Sequence, residues 1–502
     1  MIDKSLGLQL RQALDLPRVA RRVGGRPYEA ANVDAWDEVP NSTWFTNRNG
    51  RFPMSPDAVH RGPTRGAGPD TTGPWTVVTV KSDGVTPGMI IDDVQGDRYL
   101  LKFDPVGFSG LASGADVVGS RLFHAAGYNV PENYVAYLDP DRLVLAEDAM
   151  IQESTPDKRP PMRERLLRRQ ELAAALARVN SEGTPRVRVL ASRYLPGKPL
   201  GPWPYEGVRD GDANDVYPHE HRREIRGLYV VASWLNHADL KEENTLDMYD
   251  PEAGIVIHYL IDFGAALGSN SRRPSNPRRG QANSIDVRDS LVRLATLGLY
   301  VHDYERAPCS VPYPAVGYLG NELFQPWAWK PMYPVPAFEN LTARDAFWGA
   351  RIVTSFTEEQ IGAAVAAARF DDPEAAAALT RFLVERRDCI GRYWFSRTDP
   401  LDAFKLEGER LGFVDLAVAR GLAPEGAAAY EYVVYAPSGK VLGRGSVTEP
   451  ELDLPGDWRR GGGAMVSLQP RRSGLSCAPV LVYLGPGTAE GSWEVIGLRR
   501  LD

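Results

Sequence analysis

The 502-residue sequence contains only three cysteines, Cys309, Cys389 and Cys477. They lie far apart and form no CxxC pair, so no disulfide framework can be read from them. That usage fits a reducing compartment. Long apolar runs are also missing. No stretch approaches the ~18 residues that span a bilayer. The N-terminal MIDKSLGLQLRQALDLPRVARRV has no apolar core of the kind a signal peptide carries, and reads instead as a short amphipathic helix. The expectation is a cytoplasmic chain without a membrane span, which an export signal ahead of a different start site would change. A basic excess is lacking too. The 58 Lys+Arg against 65 Asp+Glu give a net charge of −7, so no nucleic-acid partner is expected. Hydrophobic residues at 43 % and charged residues at 25 % exclude wholesale disorder. The length allows roughly two to four domains.

Four regions can be told apart. Residues 1–73 read as an extension that ends in the Gly/Pro-rich HRGPTRGAGPDTTGP; its Trp36, Trp44 and Phe45 are too many large aromatics for a free linker. Residues 74–195 are strand-rich. WTVVTVKSD, MIIDDVQ and RYLLKFDP alternate or are β-branched, and SGADVVGSRLFHAAG follows with helical spacing of Val117, Leu122 and Phe123. YVAYLDP and RLVLAED read as a hairpin, PPMRERLLRRQELAAALARVN as a charged helix, and RVRVLASRYLPG as a strand. Residues 196–408 are mostly helical, beginning with the amphipathic HEHRREIRGLYVVASWLNH. Residues 409–502 hold FVDLAVA, AYEYVVYAP, KVLGRGSV, AMVSLQP, PVLVYLG and SWEVIGL, short strands whose spacing predicts a small β-sandwich-like accessory domain.

The segment that carries chemistry is NHADLKEENTLDMYDPEAGIVIHYLIDFGAALG, residues 236–268. It contains His237-x-Asp239-x-Lys241-x-x-Asn244 and, 18 residues after Asn244, Asp262-Phe263-Gly264. Two strands around the turn Asp250–Gly254 join them as a hairpin. Either motif alone is weak; the pair in this order is specific. HADLKEEN matches the protein-kinase catalytic loop HRDLKPEN at six of eight positions. On these residues the chain resembles the protein-kinase-like superfamily, as an atypical bacterial member in the neighbourhood of HipA-type kinases, phosphoinositide kinases and aminoglycoside phosphotransferases.

The resemblance implies an α+β, bilobal kinase-like fold over residues 74–408 and an ATP- and Mg²⁺-dependent transfer of the γ-phosphate to a hydroxyl of a protein or a small molecule. It implies Asp239 as the base and Lys241 as a neutraliser of the transferring phosphate. Asn244 and Asp262 are the implied ligands of Mg²⁺, a hard ion that wants oxygen. Lys102 would hold ATP phosphates and Asp116, on the next helix, would pair with it; the family uses Glu there, one methylene longer. The loop SDGVTPG, with Gly84 and Gly88, would cover the phosphates although it is glycine-poor. Backbone groups near Ala191–Leu195, taken as Arg193 and Tyr194, would meet adenine. His237 is expected to pack and to hydrogen-bond backbone near Asp262. The basic loop Arg272, Arg273, Arg278, Arg279 reads as a solvated segment, or as a binder of an acidic substrate or of phosphorylated Ser275. No APE motif follows Asp262. The alternatives are a nucleotide-binding pseudokinase that acts as a scaffold, and kinase-fold nucleotidyl transfer (AMPylation).

Overall fold

In the computed structural model, which describes residues 7–81, 88–154, 162–179, 185–426, 428–473, 475 and 477–501, two short helices come first: α1 (Leu8–Leu14) and α2 (Leu16–Val23). Helix α3 (Pro56–Arg61) is capped by Ser55 and carries Pro at its first turn. The chain between them is built into the rest of the molecule. Trp44 and Phe45 are buried, whereas Trp36 is exposed. Trp44 stacks on His258 at 3.6 Å between ring centroids.

A seven-stranded mixed sheet follows, made of β1 (Trp75–Lys81), β2 (Gly88–Asp92), β3 (Arg98–Phe103), then helix α4 (Leu111–Ala126), β4 (Asn133–Leu138), β5 (Leu143–Ser154), β6 (Met162–Leu166), helix α5 (Arg169–Val179) and β7 (Val187–Arg193). The strand order is β4-β7-β3-β2-β1-β5-β6. Only the β1–β5 pair is parallel. β4 and β5 are five strand positions apart, about 24 Å in a flat sheet. The chain from Leu138 to Leu143 reaches at most about 18 Å. The sheet therefore curls. The period-2 alternation sets its two faces: Tyr99, Leu101 and Phe103 of β3 join Val77, Ile91 and Val189 in one core that α5 covers with Leu172 and Ala175. Lys102 consequently projects from the other face, which α4 covers.

The largest core lies below that face. The elements that follow β7 in the chain are β8 (Lys198–Gly201), α6 (Arg223–Trp234), β9 (Thr245–Asp250), β10 (Ile255–Leu260), α7 (Val287–Ala295), α8 (Asp303–Arg306), α9 (Pro336–Glu339), α10 (Ala343–Thr354), α11 (Glu358–Ala366) and α12 (Pro373–Trp394), of which α6 and α9 to α12 supply most of that core. Every residue of α6 is buried, because α10 and α12 pack against it. β9 and β10 form the expected hairpin, with β8 on the outer side of β9. A buried ionic network fastens the regions: Arg223 bonds Asp37 and Asp345, Arg226 bonds Asp345, and Arg344 bonds Asp37.

The C-terminal region holds β11 (Leu401–Glu407), β12 (Arg410–Asp415), α13 (Leu416–Ala419), β13 (Ala429–Tyr435), β14 (Val441–Val447), β15 (Glu451–Asp453), β16 (Ala464–Arg471), β17 (Val480–Pro486) and β18 (Trp493–Arg500). A three-stranded sheet β11-β12-β15 and a five-stranded sheet β14-β13-β16-β17-β18 share one apolar core that includes Leu411, Val434, Val466 and Val482.

Three local expectations are corrected. Residues 134–148 are not a hairpin: β4 pairs with β7 and β5 with β1, because the curled sheet brings their ends together without pairing them. Within the charged segment 160–180, Met162–Leu166 form strand β6, where Arg165 pairs across to Ile151, and only Arg169–Val179 are helical. FVDLAVA is a strand only to Asp415, whose side chain then accepts the N–H groups of Ala417 and Val418 and caps α13.

Candidate active site

Lys102 is the next-to-last residue of β3, directly across from Gly88 in β2. Its Nζ donates to Asp262 Oδ1 at 2.9 Å and lies 3.6 Å from Asp116 Oδ2. Asp116, buried in α4, also accepts the backbone N–H of Phe263 at 2.7 Å through Oδ1. One short carboxylate thus touches both the strand lysine and the turn that carries Asp262. The fit is close. A Cβ at Gly264 would come within 2.9 Å of Asp116 Oδ2, and one at Gly119 within 2.7 Å of Phe263 Cβ. Both positions need glycine for space.

Asp262 adopts a left-handed backbone, φ 63°, and Asn236 ahead of the catalytic-type loop does the same, φ 46°. Neither is glycine, so strain is held at both edges of the site. Phe263 is fully buried and stacks on Phe123 of α4 at 5.0 Å; His237 packs on both rings, at 5.4 and 5.7 Å. His237 does pack beside the Asp262 turn, but its Nδ1 finds no hydrogen-bond partner among the described residues. The expected side-chain bond to backbone from that atom is not made.

The second cluster sits on the loop between α6 and β9. Lys241 Nζ lies 3.1 Å from Asp239 Oδ2. Asn244 Nδ2 donates to Asp239 O at 2.8 Å and to Oδ2 at 3.2 Å. Asn244 O accepts the N–H of Ile261 at 3.0 Å, which ties this loop to the residue before Asp262. The two clusters therefore face one space, and the charge of Lys241 is felt at Asp262.

The charges follow from these contacts. Burial works against charge on Lys102, yet Asp116 and Asp262 more than offset it and hold its amine above the ordinary lysine range. The charge of Lys102 holds Asp262 below the ordinary carboxylate range. Burial pushes Asp116 up to about 6, with the charge of Asp262 adding to the rise. Burial brings His237 down to about 4, so its ring is neutral at neutral pH.

A metal can be tested against this donor set. Among the described residues no group of three or more His, Cys, Asp or Glu is placed to hold an ion, so a cage of protein ligands alone is not built. Asp262, whose side chain is 43 % exposed, and the amide oxygen of Asn244 are both hard oxygen donors. Two protein oxygens completed by phosphates and water are what Mg²⁺ usually takes. The residues fit that ion in company with a nucleotide.

Other expected positions lie elsewhere. Gly84 is outside the described residues. Arg193 ends β7, three residues beyond Leu190, the strand partner of Lys102, and Tyr194 follows it. Arg193 N–H donates to Glu132 O and its guanidinium reaches Asp97 at 2.5 Å, while Tyr194 N–H donates to Arg98 O. Those two N–H groups are already used and are not free for adenine. The basic loop is only partly solvated. Arg279 donates to Ala265 O at 2.9 Å, and Ser275 is buried with its N–H on Gly268 O, so Ser275 is not presented for phosphorylation. Sequence reasoning missed the bracing of the loop from behind. Trp329 Nε1 donates to Asn236 Oδ1 at 2.9 Å, and Met332 N–H donates to Ala238 O at 2.7 Å. The density of Trp and Pro in residues 311–336 was its only trace in the sequence.

No protein-family model matches the chain, and no curated protein matches it. Among solved structures it is similar to the golgi casein kinase, with 11 % identity over 77 % of this chain and 89 % of that chain at a TM-score of 0.27. It is similar also to the Golgi casein kinase with Mn/ADP bound, with 10 % identity over 77 % of this chain and 90 % of that chain at a TM-score of 0.26.

Proposed function

We propose that the chain is an ATP- and Mg²⁺-dependent phosphotransferase of bilobal, kinase-like build, with the curled sheet and α4 as one lobe and the α6-centred helices as the other. The observation that carries the reading is Lys102 held between Asp116 and Asp262, with the Asp239–Lys241–Asn244 loop bonded to Ile261. Phosphoryl transfer asks a protein for positioning and charge neutralisation more than for covalent chemistry. Lys102 supplies a fixed cation at the phosphates, and Asp116 fixes that cation relative to Phe263. Asp239 Oδ2 is engaged by Lys241 and Asn244, which leaves Oδ1 to face the acceptor. The acceptor oxygen forms a bond to the γ-phosphorus, and the bond from that phosphorus to the bridging oxygen breaks. ADP departs with the electron pair, and the hydroxyl proton goes to Asp239 Oδ1. Lys241 offsets charge on the transferred group. Mg²⁺ held by Asp262 and Asn244 would neutralise phosphate charge.

The test is intact mass and ADP release after incubation with ATP and Mg²⁺, with Asp262→Ala as control. ADP release, or a gain of about 80 Da, that the variant lacks supports phosphoryl transfer. A gain of about 329 Da replaces it with AMP transfer. Nucleotide binding without turnover across protein and small-molecule hydroxyl acceptors replaces it with a pseudokinase.

A further inference from the structure

The six most exposed large apolar side chains among the described residues lie in two segments: Leu14, Leu16 and Val23 in or beside α1–α2, and Leu294, Leu297 and Leu299 in or just after α7, all 69–88 % exposed. In α2, Leu16, Val19 and Val23 recur at helical spacing on one side, and Arg18, Arg21 and Arg22 occupy the other. In α7, Leu291 and Leu294 form the same kind of stripe opposite Arg293. Neither helix has a buried residue. An isolated helix this short is marginal in water.

The two segments belong together. Gln9 in α1 donates to Ile285 O at 2.6 Å and accepts the N–H of Val287, the first residue of α7, at 3.1 Å. α2 is held through Arg18 and Arg22 on Glu339. The anchoring contacts are polar and leave the apolar stripes open. Residues 7–26 carry Arg11, Arg18, Arg21, Arg22 and Arg26 against Asp15 alone; Arg11 pairs with Glu206 and Arg18 with Glu339, while Arg21, Arg22 and Arg26 make no ion pair among the described residues.

We propose that this face docks on the surface of an anionic lipid bilayer. Apolar stripes flanked by arginine match the chemistry of an interfacial helix, with leucine and valine in the acyl boundary and guanidinium at the headgroups. A second copy of the chain fits less well, because a two-fold contact through α2 would set the unpaired Arg21, Arg22 and Arg26 against themselves. No described helix is long and apolar enough to cross the membrane, so the docking is peripheral. The inference stands apart from the phosphotransferase reading.

The test is co-sedimentation of the full chain with vesicles of phosphatidylcholine alone and of phosphatidylcholine mixed with phosphatidylserine. Binding to the mixed vesicles, weakened by salt, is expected. Leu16→Glu with Val23→Glu, and separately Leu294→Glu with Leu297→Glu, should each abolish it. Arg21→Gln with Arg26→Gln should weaken it roughly thirtyfold. All six side chains are exposed, so circular dichroism and melting temperature should not change. Failure of the wild type to bind the mixed vesicles overturns the proposal, as does binding that either leucine/valine pair leaves untouched. Dimerisation in solution, seen by light scattering and lost in the same variants, assigns the face to self-association instead.

Discussion

Asp116 accepts the backbone N–H of Phe263 at 2.7 Å, so the acid that faces Lys102 is also fastened to the turn that presents Asp262. The shorter carboxylate is matched to this position. It is buried, and Gly264 leaves it no spare depth. Asp116→Glu should therefore act as an overpacking change and lower kcat by about tenfold or more, at a stability cost of about 1–3 kcal/mol. Steady-state kinetics with a urea melt checks both. Full activity in the glutamate variant would show that the acid at 116 serves Lys102 alone.

The pH dependence has a defined sign. Burial raises Asp116 to about 6, whereas an unfolded aspartate titrates near ~3.9. Its contribution to stability is fully present below ~3.9 and is lost as pH rises through about 6. Activity should move the other way, because a protonated Asp116 no longer holds the Lys102 amine. His237, brought down to about 4, opposes Asp116 in the overall stability profile. The comparison to make is therefore wild type against Asp116→Asn. Wild type should gain stability relative to the variant between pH 6 and 4, and the variant should lack the acid limb of kcat/KM near pH 6.

Gly119→Ala tests whether α4 sets the position of Asp262. The added methyl meets Phe263 Cβ at 2.7 Å. It should cost about 1–3 kcal/mol and lower turnover, since Phe263 cannot shift without its neighbour. Thermal melts and kcat measured together distinguish this from a purely local strain, which would leave kcat unchanged.

Trp44 tests the status of the N-terminal segment. It is buried, stacks on His258 and lies under the Arg222 guanidinium at 4.6 Å. Trp44→Ala should destabilise the fold by about 3–5 kcal/mol in chemical denaturation. A change below about 0.5 kcal/mol would mean that the segment is a detachable extension.

The residues of the two clusters are legible in the sequence where chemistry is local. Asp239, Lys241 and Asn244 fall within six consecutive residues, and one hairpin carries the chain on to Asp262. Lys102 and Asp116 are legible through element order alone, a strand followed by a helix. Pairings decided by distant partners are not. YVAYLDP and RLVLAED look like a hairpin because their linker has hairpin length, yet β4 is claimed by β7, some fifty residues later. The bracing of Asn236 by Trp329 and of Ala238 by Met332 has no motif, because it depends on how residues 311–336 fold back over the loop. Arg193 and Tyr194 show the same limit: nothing local reveals that Glu132 and Arg98 already take their N–H groups.

The most direct measurement is ADP release by wild type and Asp239→Asn at matched nucleotide occupancy, fixed beforehand by titration with ATP and Mg²⁺. Asparagine keeps the shape of the side chain and its place beside Lys241 and Asn244 but cannot take the acceptor's proton. The account predicts equal nucleotide affinity and a rate at least about a hundredfold lower in the variant. Equal rates in the two proteins would contradict it.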